Sequence, residues 1–198
     1  MNLDNDLNFL YEIWTLRHVQ RTWIEFMWNN MANVAEHTLR VIWTALIIAK
    51  NENVSDTAKV IKMCLAHDIP EIRSCDTHYL SRSYVKRFEE DAMKDTLEWV
   101  SIWDDFYEIF EEYSKQWCIE AKIAKDADNL DVDLELMEEF YKWSKIAEIF
   151  QKKRPEMKNK YNTETAKKMF DLIQNSNPHE WHLQWKNRFN NTDWNDKK

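Results

Sequence analysis

A chain of 198 residues without a single glycine lacks the residue that most easily reverses a backbone. Glycine averages about 7%, so roughly 14 would be expected. Turns must instead be built from Asn, Asp, Ser and Pro. Tryptophan is abundant, at 11 residues. Nothing in the sequence gives a physical reason to avoid glycine. Unusual codon usage, a reinterpreted codon or redesign would each leave this pattern.

At this length the chain buries a sizeable core and reads as one domain over residues 1–175, with a polar, Trp-containing tail over 176–198. With 44% hydrophobic and 31% charged residues and three prolines, it reads as soluble and largely helical. The net charge of −8 argues against nucleic acid or an anionic membrane as a partner. A small anionic substrate would then need local positive charge or a metal. Three cysteines make no paired framework, so a reduced interior is expected. The first residues carry acids where a signal peptide needs bases, and the apolar run 41–49 is too short to span a bilayer. A cytoplasmic location is the expectation.

Periodicity assigns helices and no strands. Helical spacing covers 5–16, 33–50, about 55–67, one or two helices within 83–113, two helices or one bent helix within 116–152, and 163–174. The fold class expected is all-α. Asn33 and Glu36 stand in capping-box positions, and Pro70 marks a break after the third helix.

Polar residues on apolar stripes single out a site. His37 shares a stripe with Val34, Val41, Ala45 and Ile48. Val60 and Cys64 lead to His67, and Ile61 and Leu65 lead to Asp68. A buried aspartate at a helix C-terminus is doubly disfavoured unless a cation compensates. Asp128 continues the row Trp117, Ala121, Ala124, while Asp126 falls on the opposite side and reads as a solvated partner of Lys122. The other acids up to Glu135 read as a charged surface. Two imidazoles and two carboxylates from three helices suit Zn, Mn, Fe, Co or Ni.

The stretches "NVAEHTLRV" (33–41), "CLAHDIPEIRSCD" (64–76) and "KDADNLD" (125–131), with "RTW" (21–23) upstream, resemble the HD-domain phosphohydrolases, and more closely their 5′-deoxynucleotidase branch. The resemblance implies a helical bundle in which His37, His67, Asp68 and Asp128 hold one divalent metal. It implies that Glu71 and Asp76 act around the phosphate and the attacking water. Arg21 would bind phosphate and Trp23 would pack on the sugar, with His78 also lining the substrate site. His78 is the only histidine between His67–Asp68 and Asp128, where binuclear HD subfamilies carry extra ones, which argues for a single metal. The family usually has glycine before the aspartate at 76; Cys75 stands there, strained if that turn needs a positive φ. The activity implied is release of phosphate from deoxynucleoside 5′-monophosphates. Alternatives are a (d)NTP-directed hydrolase and a catalytically silent nucleotide-binding protein. The family is often dimeric, and an aromatic-rich surface permits a homodimer.

Overall fold

A computed structural model describes residues 3–28 and 31–183. The helices run α1 Leu3–Ile13, α2 Ile24–Met27, α3 Val34–Asn51, α4 Thr57–Ala66, α5 Glu71–Ser74, α6 Glu89–Leu97, α7 Trp103–Lys115, α8 Ile119–Tyr141, α9 Lys145–Lys153, α10 Glu164–Gln174 and α11 Glu180–Leu183. Among the described residues the one strand-like feature is an isolated bridge between Gln20 and Asn33. The all-α expectation holds. The 83–113 and 116–152 segments each resolve into two helices. Part of the expected tail forms α11, and residues 184–198 lie outside the described residues.

Local chemistry explains the boundaries. Asn33 accepts from the Glu36 N–H, and Glu36 closes the capping box on the Asn33 N–H. Asp56, Ser144 and Thr163 cap α4, α9 and α10 through their side chains. Helix α4 ends at Ala66, and Pro70 opens the short α5 after a tight turn.

Helices α3, α4 and α8 pack together as the centre, with α7, α9 and α10 against α8. Val41, Ala45, Ile48, Val60, Met63, Ala124 and Leu130 are all fully buried there. Helix α1 contributes no buried residue: Leu7 and Leu10 stay largely exposed. Helix α8 is buried on nearly every side, acids included.

Positive φ occurs at Trp28, Asn53, Cys75, Trp99, Gln116 and Trp143. Asn53 fits the expected turn chemistry. The three tryptophans do not, because a Cβ clashes in the left-handed region.

Candidate active site

Helix α3 carries His37 on its buried face, as its phase predicts, at 1% exposure. The row Val60–Cys64 leads to a buried His67. The parallel row does not hold, since Leu65 is exposed. Asp68 is instead turned inward beyond the helix end, where the Ile69 N–H donates to Ala66 and the Glu71 N–H to Asp68. Asp128 arrives from α8; Trp117, expected on its row, precedes that helix and is exposed.

These side chains converge. His37 Nε2 lies 3.3 Å from Asp128 Oδ1, 3.5 Å from Asp68 Oδ2 and 3.4 Å from His67 Nε2. His67 Nε2 lies 3.1 Å from Asp68 Oδ2. Ligand-capable atoms of His37, His67 and Asp128 all fall within 4.8 Å of one another. Asp68 Oδ2 is buried without an aligned hydrogen bond. An orphaned carboxylate oxygen facing two imidazole nitrogens is a donor set that a divalent cation fits.

Both imidazoles are oriented from behind. His67 Nδ1 lies 2.7 Å from the Cys64 carbonyl, which accepts its proton. His37 Nδ1 lies 2.5 Å from Asp131 Oδ2. Burial opposes protonation of His37, but hydrogen bonds to Asp128 and Asp131 outweigh it and raise the pKa to about 9. Burial likewise opposes ionisation of Asp128, yet Lys125 and His37 hold its carboxyl well below the usual range. For Asp68, burial is outweighed by His67 and His37, and its pKa is lowered.

A cleft of about 420 Å³ opens over this centre, large enough for a small nucleotide. Every residue expected to contact substrate lines it: Arg21, Trp23, Glu71, Asp76 and His78. Arg21 is buried, 3.9 Å from Asp68, with its Nε unpartnered. Trp23 packs edge-on against Phe150 at 5.2 Å, so its ring belongs to both core and wall. His78 Nδ1 accepts from the Leu80 and Ser81 N–H groups, leaving Nε2–H to face Ser81 Oγ at 2.8 Å and Glu25 at 3.0 Å. Asp76 Oδ2 accepts from the Thr22 N–H at 2.9 Å, tying the "SCD" turn to the "RTW" segment. Glu71 is buried, and burial with the charges of Asp68 and Asp76 pushes its pKa up to about 8 despite Arg87 at 3.4 Å.

Cys75, before Asp76, has φ 57° and ψ 161°, a region that favours glycine. The strain inferred from its sequence position is present.

Two expectations are corrected. Asp126 is no solvated ion-pair residue: it is fully buried and accepts from the N–H and Nδ2 of Asn162 and the N–H and Oγ1 of Thr163. The acids that follow are not a charged surface either. Asp131, Asp133 and Glu135 are buried, with Asp133 taken by Arg154 and Tyr161. Lys125, 2.8 Å from Asp128, and Arg154 also line the cleft and were not singled out. Lys125 precedes Asp128 by three residues and so shares its helix face, a readable signal; no spacing in the sequence marks Arg154.

The chain is similar to known proteins along most of its length. An HD domain model matches residues 13–173. A 5′-deoxynucleotidase HDDC2 from Danio rerio is 30% identical over 146 residues, covering 69% of this chain and 70% of that protein. The Homo sapiens 5′-deoxynucleotidase HDDC2 is 28% identical, covering 67% of each. Among solved structures, a conserved hypothetical protein from Pyrococcus furiosus aligns with a TM-score of 0.71 at 24% identity, over 86% of this chain and 99% of that one. A predicted metal-dependent phosphohydrolase from Magnetospirillum magnetotacticum aligns at 0.69 and 20%, over 87% and 93%. Fold, motif order and the match across residues 13–173 agree: this chain belongs to the HD domain family.

Proposed function

We propose that this protein is a phosphomonoesterase, dependent on one divalent metal, that converts deoxyribonucleoside 5′-monophosphates to deoxynucleoside and phosphate. The observation that carries the reading is the convergence of His37, His67, Asp68 and Asp128 beneath a cleft bearing Arg21. The relatives called 5′-deoxynucleotidases support the substrate class.

His37, His67, Asp68 and Asp128 would hold the metal. When bound, it lowers the pKa of water and polarises a phosphoryl oxygen. Arg21, buried and fixed beside Asp68, presents guanidinium donors to the phosphate. Glu71, with its pKa near 8, holds a proton at neutral pH and would deliver it to the leaving 5′-oxygen. Asp76, anchored on the Thr22 N–H and lining the same cleft, would take the proton that the attacking water gives up. Trp23, braced by Phe150, excludes a ribose 2′-hydroxyl. Three unbridged thiols, the exposed Cys75 among them, support a cytoplasmic setting. The exposed row Leu39, Trp43 and Ile47 on α3 is a surface that a second copy would cover.

Arg87, Lys125 and Arg154 add positive charge, which a triphosphate substrate would need, but each is already engaged by Glu71, Asp128 or Asp133. Arg82, exposed at the cleft 4.0 Å from Asp76, is one further cation, fewer than a triphosphate would need, and that balance favours the monophosphate. Deoxy- and ribonucleoside mono- and triphosphates are to be assayed with Co²⁺, Mn²⁺, Zn²⁺ and Mg²⁺. Phosphate from dNMP at higher kcat/KM than from NMP is expected. Pyrophosphate or triphosphate release from dNTP instead overturns the substrate assignment. Trp23→Ala is expected to narrow the sugar preference mainly by improving ribonucleotide turnover; an unchanged ratio would make Trp23 core packing alone.

A further inference from the structure

We propose that Asp131 is a positioning residue that fixes the ring of His37 with its proton on Nδ1, so that Nε2 presents a lone pair to the metal. The inference rests on the metal-site reading above and extends it to a residue without a ligand role. Asp131 is fully buried, one helical turn after Asp128 on α8. One carboxylate oxygen sits 2.5 Å behind His37 Nδ1 and the other accepts from Arg40 Nε. Arg40 in turn reaches Glu138 at 2.7 Å. A carboxylate without a proton accepts only, so it selects the Nδ1–H ring. The chain Glu138–Arg40–Asp131 thus fixes the carboxylate, which fixes the imidazole, much as the Cys64 carbonyl does for His67. Partners behind a ligating histidine are generally worth 10- to 100-fold in metal affinity.

Asp131→Asn keeps the shape and offers an amide that can donate to Nδ1, favouring the wrong tautomer. Zn²⁺ affinity is to be read by chelator competition, and the His37 tautomer by ¹⁵N NMR on histidine-labelled protein at about pH 10, above the His37 pKa of about 9 so that the ring is neutral, with His37→Gln for assignment. The expected result is a 10- to 100-fold weaker dissociation constant together with an Nε2-protonated ring in the metal-free variant. Wild-type affinity with an Nδ1-protonated ring overturns the inference. Should Asp131→Asn fail to fold, Asp131→Glu decides. It keeps the acceptor and should retain the Nδ1–H ring and most of the affinity; an Nε2-protonated ring with undiminished affinity sinks the proposal. A wild-type protein that binds no Zn²⁺ would remove the metal-site reading itself.

The backbone carries a second, independent inference: Trp28, Trp99 and Trp143 occupy glycine positions. All three have φ between 58° and 70°, lie just beyond helices α2, α6 and α8, and are 90%, 75% and 92% exposed. A helix commonly ends on a left-handed glycine, whereas an exposed indole there gains little burial and adds a Cβ clash. With no glycine anywhere and 11 tryptophans, the pattern is that of a codon written as tryptophan but decoded as glycine. Each Trp→Gly variant is expected to melt above its Trp→Ala counterpart, by about 2–4 °C per site. Glycine variants melting at or below the alanine ones overturn the backbone reading. Peptide mass spectrometry of the protein from its natural host reads the decoding directly: glycine at 28, 99 and 143 is expected, and tryptophan there rules the decoding out.

Discussion

Asp126 and Asp128 lie two residues apart on α8 and do opposite work. Asp128 faces His37 across the candidate metal centre, whereas Asp126 ties the start of α10 to α8. Removing Asp126 would strand the buried N–H of Thr163, and lost hydrogen bonds to a buried charge cost roughly 1.5–3 kcal/mol each. Asp126→Ala is therefore expected to destabilise the fold by about 3 kcal/mol while the folded fraction still binds metal. Asp128→Asn should lose metal and activity with a smaller change in Tm. Thermal melts beside metal content separate them, and metal loss in both variants with no change in melting would refute the division. The sequence showed His37, His67 and Asp128 because each interrupts an apolar row. It hid Asp126, Asp131 and Asp133 because α8 has almost no solvent face against which a polar residue stands out. Phase alone cannot separate a buried, satisfied acid from an exposed one.

Among the elements, the segment from α4 through α5 to Asp76 concentrates the chemistry, and its shape was partly legible. Pro70 announced the break, and Cys75 announced a backbone that wants glycine. The inward turn of Asp68 was not readable from helical spacing, because it arises after the last helical residue. Cys75 sits one residue before a group anchored to the Thr22 N–H, so relief of its strain bears on both stability and geometry. Cys75→Gly is expected to raise stability by about 1 kcal/mol; strained backbone at such a site costs of order 1–3, part of which glycine returns through unfolded-state entropy. If the strain displaces Asp76, kcat/KM rises as well. Chemical denaturation and steady-state kinetics on the variant measure the two effects, and a loss of stability would show that the turn tolerates its Cβ.

At the scale of the molecule, helices α3 and α5 bring two groups that bind protons tightly into one interior. His37 has a pKa of about 9 against an ordinary 6.5, and Glu71 about 8 against 4.5. Both are raised, so each stabilises the metal-free fold most below its ordinary value, and that contribution is lost as pH rises through the folded value. The Glu71 contribution declines from about pH 4.5 to 8, and the His37 contribution from about 6.5 to 9. Asp68, Asp128 and Asp131 are shifted the other way, so their contribution is present above the ordinary carboxylate range and fades only in acid. Metal-free protein should thus be most stable in mildly acidic solution and lose stability progressively up to about pH 9. A metal ligand must give up its proton, so Co²⁺ binds more tightly as pH rises and its stabilisation grows over the range in which the metal-free fold weakens. Melting EDTA-treated and Co²⁺-loaded protein from pH 5 to 9 should give curves that diverge with pH. Glu71→Gln should flatten part of the metal-free decline without abolishing the divergence, because His37 still exchanges its proton for the metal. Parallel curves across the whole range would mean that His37 is neutral before metal arrives, and the electrostatic account of the centre would fall.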